Sequence, residues 1–298
     1  MGHQPTNQRK HEKLQSPKYD TYRRKLASAR ATVAELYLTD LCFAENAESE
    51  CESYVALALQ ILDEHDGEPM VDALQTAASL RLSQQRNAEA RQYILRVYEK
   101  MKKGCEALAK LVGLDDENKK SKRSVELEEV GAADSLPSFD FRCQTAKLLL
   151  ECGADDAKND NDTKSNGKSS ASPSEEETGK DACLKAAVQV LGSLLAENDD
   201  VPEVWYLTGC AYGSLGDGEL ALHYWSHALE MLEKVQEALE KEAEETADMQ
   251  DDDANDELDM QLQSIACQME EIRSKLEDVE DGGDDDDDDS DDNSEMEE

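Results

Sequence analysis

Residues 202–230 read PEVWYLTGCAYGSLGDGELALHYWSHALE, with aromatic and small residues at fixed offsets in two helical stretches. Gly209 and Ala221 remove bulk where two helices would cross, so that the rings of Tyr212 and Trp225 can fill the space beside the crossing. Gly216, followed by an aspartate, suits the turn between them. The stretch therefore predicts a helical hairpin.

The offsets match the tetratricopeptide (TPR) pattern, a helix–turn–helix of about 34 residues with W-x2-L-G-x2-Y and then A-x3-F. The matching residues are Trp205, Gly209, Tyr212, Ala221, Trp225 and Ala228. Thr208 stands where leucine is usual, and Glu233 stands where a proline would end the second helix. We therefore expect that helix to continue.

One hairpin of this kind cannot bury its apolar face alone, which predicts neighbouring hairpins. Small and apolar residues recur in matching positions at residues 31–64, 69–100 and 136–197, the third pair being split by an insertion. The sequence thus predicts an all-α fold, a TPR-like helical-hairpin solenoid over residues 25–248.

Three polar segments interrupt the helical pattern before the C-terminal region. Residues 1–24 are basic and predict a flexible arm, whereas residues 113–136 form a polar connector that contains KKSKR. Residues 153–180 contain no large apolar residue, which predicts a disordered insertion. KKSKR is a candidate nuclear-import signal, formed by Lys119, Lys120, Lys122 and Arg123, although a solvated charged loop is the alternative.

Near the C-terminus, one apolar stripe precedes a run of acids. The stripe has spacings alternating between four and three residues and consists of Leu258, Leu262, Ile265, Met269, Ile272 and Leu276. It could form a coiled-coil dimer, but it is short, so we predict a capping helix over residues 256–277 and a monomeric protein. Residues 278–298 predict a disordered acidic tail, because like charges repel and few apolar residues oppose that repulsion.

Charge is unevenly distributed along the chain, whose formal net charge is −39. Residues 1–30 hold eight basic residues against two acidic ones, whereas residues 233–298 hold four basic against 30 acidic ones. Such a chain is repelled by nucleic acid and anionic membranes and attracted to basic protein segments. The tail is interpreted as a device for capture and shielding, with solubilisation as the alternative.

The residues indicate no catalytic constellation, cofactor site or metal site. His223 and His227 lie four residues apart on one helix, but no third ligand accompanies them, so we interpret them as a surface pair. Eight cysteines without a CxxC motif predict reduced, mostly buried thiols. No secretory signal opens the sequence and no run of 18 apolar residues occurs, so we expect a soluble intracellular protein.

A peptide-binding face is expected along the first helices of the hairpins. From helix phase, the candidates for binding a basic client are Glu35, Asp40, Asp72, Gln75, Glu203 and Tyr206. The acids can pair with lysine or arginine, and tyrosine offers a rigid contact with a hydroxyl group.

Three stretches carry a family resemblance: AELYLTDLCFAENAESECE at 34–52, ALQTAASLRLSQQR at 73–86 and VPEVWYLTGCAYGSLGD at 201–217. In this order, and followed by an acidic tail, they resemble the TPR-type dedicated assembly chaperones of large-subunit ribosomal protein four. The resemblance covers roughly residues 25–240. It implies a non-enzymatic protein of cytoplasm and nucleus that captures the basic ribosomal protein by its internal loop and escorts it to pre-60S assembly, with nuclear import receptors as further partners.

Two other functions remain open from the sequence. A TPR adaptor or co-chaperone of the heat-shock machinery would need cationic groove residues, whereas the equivalent positions of the 202–230 hairpin are Glu203, Tyr206 and Cys210. An acidic histone chaperone would share the electrostatics but would not need the helical hairpins.

Overall fold

A computed structural model of the chain describes residues 17–63, 70–113, 130–154, 175–246 and 252–281. Its contacts divide the chain into two compact units, Met1–Ala196 and Glu197–Glu298. The helices of the first unit are α1 Pro17–Leu38, α2 Ala47–Asp63, α3 Val71–Ser83, α4 Asn87–Gly113, α5 Phe139–Gly153 and α6 Glu175–Glu197. Those of the second unit are α7 Pro202–Ser214, α8 Gly218–Thr246 and α9 Asp252–Asp281.

The described residues are helical apart from their turns, which confirms the predicted all-α fold of hairpins. In the first unit, α1 packs on α2 and α3 packs on α4, and α3 also lies against α1. The residues predicted at the small helix contacts are buried. They are Cys51, Val55, Ala58, Ala77, Ala78, Ala90, Ile94, Val97, Ala187, Leu191 and Leu194.

Buried arginines join helices of the first unit, within the third hairpin through Arg142 and between the second and third hairpins through Arg91, a feature that apolar periodicity does not reveal. Arg142 is 2% exposed and donates from Nε to the Pro137 carbonyl at 3.1 Å and from Nη1 to Ser193 Oγ at 3.3 Å. Arg91 donates to the Cys152 carbonyl at 3.4 Å. These bonds satisfy charged groups that would be costly to bury alone.

The second unit is built around the indole of Trp225. A Cβ atom added to Gly209 would lie 2.4 Å from Trp225 Cδ1, so only glycine allows α7 and α8 to approach this closely. Gly216 adopts a positive φ of 81° in the turn, and Asp217 Oδ1 then accepts the Leu220 amide at 3.1 Å at the start of α8. Thr208 is buried and donates to the Val204 carbonyl at 2.7 Å, which explains why a polar residue is tolerated at the leucine position.

The other pattern residues of this hairpin make aromatic contacts or small-residue contacts. The rings of Tyr212 and Tyr224 stack at 5.4 Å, and Trp205 lies 5.5 Å from the same tyrosine. Ala221 and Ala228 are fully buried against the second unit's core. The second helix continues through Glu233 to Thr246, as the missing proline predicts.

Helix α9 packs on α8 through the predicted stripe. Met269 and Ile272 are buried in the same core as Trp225, with Ile265 and Leu276 partly buried beside them. Leu262 is half-buried, and the side chain of Leu258 lies outside the described residues.

Several predicted boundaries differ from the structure. Helix α1 begins at Pro17, inside the arm predicted for residues 1–24, because its buried alanines and Arg23, which donates to the Ile61 carbonyl, hold it against α2. Helix α6 begins at Glu175, inside the insertion predicted for 153–180. Residues 130–134 of the predicted connector 113–136 are helical, and Leu136 packs against Gly104 of α4.

The C-terminal helix is also longer than the predicted 256–277. It continues to Asp281, since Val279 packs near Gly218 at the start of α8, so the predicted tail of 278–298 begins four residues too early. The rest of the tail lies outside the described residues, as do residues 1–16, most of the insertion, KKSKR at 119–123, and residues 247–251 between α8 and α9.

Buried thiols of the first unit make its stability sensitive to alkaline pH. Burial raises the pKa of Cys152 and of Cys183 to about 12. Unfolded thiols ionise near pH 8.5, so these two groups contribute stability that is complete below that pH and is lost as pH rises towards 12. We expect the free energy of unfolding to fall by about 1.4 kcal/mol per pH unit for each thiol in this window.

Urea unfolding followed by circular dichroism between pH 8 and 11 measures this effect. Replacing Cys152 and Cys183 by alanine should reduce the pH slope, whereas replacing the exposed Cys42 and Cys267 should leave it unchanged. An unchanged slope in the first variant would contradict the assignment.

Candidate functional site

Three predicted client-binding residues, Glu35, Asp72 and Gln75, line one cleft of about 470 Å³ in the first unit. The cleft lies between α1, α3 and α5, which bring together residues far apart in sequence. Its full lining is Ala31, Thr32, Glu35, Asp72, Gln75, Thr76, Asp140, Phe141 and Gln144. The cleft therefore carries three carboxylates from three helices and no cationic side chain among its described lining residues.

Two of these residues are held by hydrogen bonds. Asp72 Oδ2 accepts from Ser28 Oγ at 3.2 Å. Gln75 Nε2 donates to the Phe141 carbonyl at 3.1 Å and to Thr145 Oγ1 at 3.0 Å, and so fixes the first turn of α5 beside α3. Gln75 thus has a structural role in shaping the cleft.

The sequence reasoning missed the contribution of α5 to this cleft. Asp140 is exposed in the first turn of α5, and Gln144 follows one turn later. Helix phase could have selected both, since α5 was predicted as the first helix of its hairpin. Asp40, in contrast, lies in the turn after α1 and is exposed outside the cleft lining.

The other two candidates, Glu203 and Tyr206, line a separate cleft of about 460 Å³ in the second unit. Helix α9 forms its other wall through Gln268, Glu271 and Ile272. The Tyr206 hydroxyl donates to the Glu271 carboxylate, and burial followed by this bond raises the pKa of Tyr206 well above its usual value. Tyr206 is therefore engaged with α9.

The two histidines lie beside aromatic and acidic side chains of the second unit. The His227 ring lies 4.0 Å from Trp205, and its Nδ1 is 3.9 Å from a Glu230 oxygen. His223 is exposed with its ring edge near Tyr224. Within the described ranges, no group of three or more His, Cys, Asp or Glu side chains is arranged to hold a metal ion.

None of the helices in the described ranges combines the length and the apolar character that crossing a membrane requires.

Comparison with known proteins gives one informative match among curated sequences. No model of a known protein family matches the chain. The "Probable assembly chaperone of rpl4" of Schizosaccharomyces pombe is 29% identical over 187 residues. The chain is similar to an assembly chaperone. The match covers 63% of this chain and 38% of the relative. The chain therefore spans less than half of the relative's length.

A solved structure titled "Assembly Chaperone of RpL4 (Acl4) (Residues 1-338)" is also similar. It is 25% identical, with a TM-score of 0.42 over 72% of this chain and 56% of the solved chain.

Proposed function

We propose that this chain is a non-enzymatic, dedicated chaperone that binds and shields newly made large-subunit ribosomal protein four and escorts it to the nucleus for pre-60S assembly. The observation that carries the proposal is the acidic cleft of the first unit, where Glu35, Asp72 and Asp140 converge. A basic polypeptide segment fits this charge, and the name of the curated relative supplies the candidate client.

The lining of both clefts favours a basic client over the carboxylate end of a heat-shock chaperone. A carboxylate clamp needs lysine or arginine, and the described residues that line the two clefts include neither. Purified client titrated into the full chain at low and high salt tests the proposal. We expect saturable binding that weakens with salt, and absence of binding at both salt concentrations would refute it.

The acidic tail is proposed to speed capture of the client. Since α9 extends to Asp281, the segment to remove is residues 282–298. Deletion should lower the association rate at low salt, and the difference should shrink as salt rises, because long-range attraction between exposed charges is screened beyond about 8 Å at physiological ionic strength. Stopped-flow association of the full and shortened chains measures this, and identical rates at every salt concentration would leave the tail a solubiliser.

Nuclear entry is proposed to use KKSKR. Replacing Lys119, Lys120, Lys122 and Arg123 by alanine should reduce the nuclear share of a fluorescent fusion, because import receptors recognise clustered cations. Imaging with and without co-expressed client separates this signal from one supplied by the client. An unaltered nuclear signal without extra client would exclude the cluster.

A further inference from the structure

Helix α1 carries a second apolar stripe on a face distinct from the one that packs on α2 and α3. The packed face consists of Ala27, Ala31 and Ala34, which are buried against α2 and α3. On this second face lie apolar and aromatic residues, and the spacing between them alternates between three and four positions. This α1 stripe consists of Tyr19, Tyr22, Leu26, Ala29, Val33 and Leu36.

The α1 stripe is largely exposed. Tyr22 is 70% exposed and Leu26 is 48% exposed. The turn that follows α1 carries a further exposed ring, since Phe43 there is 97% exposed. Of the eleven large apolar residues that are exposed in the described ranges, six lie between residues 19 and 43. A contiguous group of this kind marks an interaction surface, whereas isolated apolar residues are ordinary.

Both edges of the α1 stripe are cationic, although the chain as a whole is strongly acidic. Lys25 is exposed along one edge. Arg23 and Arg30 lie along the other, where they donate to the neutral carbonyl oxygens of Ile61 and Leu57. The surface therefore combines apolar contact with positive charge and complements an acidic partner.

Two possible occupants of the α1 stripe fit poorly: another segment of this chain and a second copy of it. None of the chain segments outside the described ranges holds more than three large apolar residues, and residues 114–129, with Leu114, Val125 and Leu127, hold the most. In a dimer of this chain, the cationic edges of the two α1 stripes would lie side by side in either helix orientation and would repel each other. Each copy also carries a net charge of −39.

We propose that the α1 stripe docks an amphipathic helix with acidic flanks from another protein. That helix would lie where a preceding hairpin would pack in a longer array of repeats, and its apolar face would cover Tyr22 and Leu26. The residues of this surface are distinct from those of the acidic cleft, which α1 lines with Ala31, Thr32 and Glu35.

A synthetic probe tests this surface in the full chain. The probe is a fluorescent 21-residue helical peptide with leucine at the first and fourth heptad positions and glutamate at the flanking positions. Fluorescence anisotropy should show saturable binding despite the net negative charge of the chain. Replacing Tyr22 and Leu26 together by glutamate should weaken binding by about tenfold or more, because both side chains lose their apolar contact.

The matched control replaces Leu220 and Val235 together by glutamate, which adds the same charge at side chains 38% and 42% exposed in the second unit and should leave binding unchanged. A peptide with lysine flanks will bind acidic surfaces, and its affinity should not depend on Tyr22 and Leu26. Equal losses for both peptides in the double variant, or no loss for the acidic one, would overturn the proposal. If the full chain binds phosphatidylserine vesicles and the double variant does not, the surface binds a membrane and the proposal is overturned. If the full chain forms a concentration-dependent dimer in sedimentation and the double variant does not, the surface mediates self-association and the proposal is likewise overturned.

Discussion

Exchanging Glu35 and Asp140 together for lysine is expected to weaken client binding by about tenfold or more, without unfolding the chain. Both side chains are exposed at the acidic cleft, so the exchange alters its charge and leaves the packed core intact. The effect exceeds that of ordinary surface ion pairs, which contribute about 0–1 kcal/mol each, because reversal adds repulsion from a cationic client to the loss of attraction. Isothermal titration with purified client measures it.

The matched control replaces Glu237 and Glu240 by lysine. Both are exposed on α8 in the second unit, and the exchange changes the net charge by the same amount. Equal losses in the two variants would show that binding follows net charge and does not use the cleft.

Replacing Gly209 by alanine is expected to destabilise the second unit by about 1–3 kcal/mol, as overpacking does in well-packed cores. The added Cβ would lie 2.4 Å from Trp225 Cδ1 and 2.5 Å from Trp225 Nε1. The ring is buried and part of the core, so it has little freedom to move away. The two tryptophans of the chain, Trp205 and Trp225, both lie in this unit, and their fluorescence in urea reports its unfolding.

Gly192 provides the opposite control on α6. A Cβ there would meet nothing within 4 Å, so Gly192→Ala should stabilise the first unit by about 0.5–1 kcal/mol through the lower entropy cost of alanine in a helix. A stabilising Gly209→Ala would contradict the close contact between α7 and α8.

The sequence predicted the helical hairpins because small residues at helix crossings repeat with a fixed spacing. Gly209, Ala221 and Trp225 show this most clearly. The other three hairpins match the pattern less well, and they were located by aligning their small and apolar residues with the same positions. Boundaries were less predictable because they depend on contacts distant in sequence. Val279, for example, prolongs α9 by packing near Gly218.

The candidate site was predictable only within each helix. Helix phase selected Glu35, Asp72 and Gln75, which the fold brings to one cleft. The inclusion of Asp140 depends on how α5 packs against α3, and the hydrogen bonds from Gln75 that set this packing join residues 66 and 70 positions apart. The engagement of Tyr206 with Glu271 likewise follows from tertiary packing, 65 positions away.

Calorimetric titration of the full chain with large-subunit ribosomal protein four from the same organism tests the proposed function most directly. A second ribosomal protein of similar net charge serves as the comparison. The proposed chaperone role predicts saturable one-to-one binding of the first protein that is markedly tighter than that of the second, with a difference that persists at high salt. Equal affinities for the two basic proteins, or no binding of the first, would contradict a dedicated chaperone.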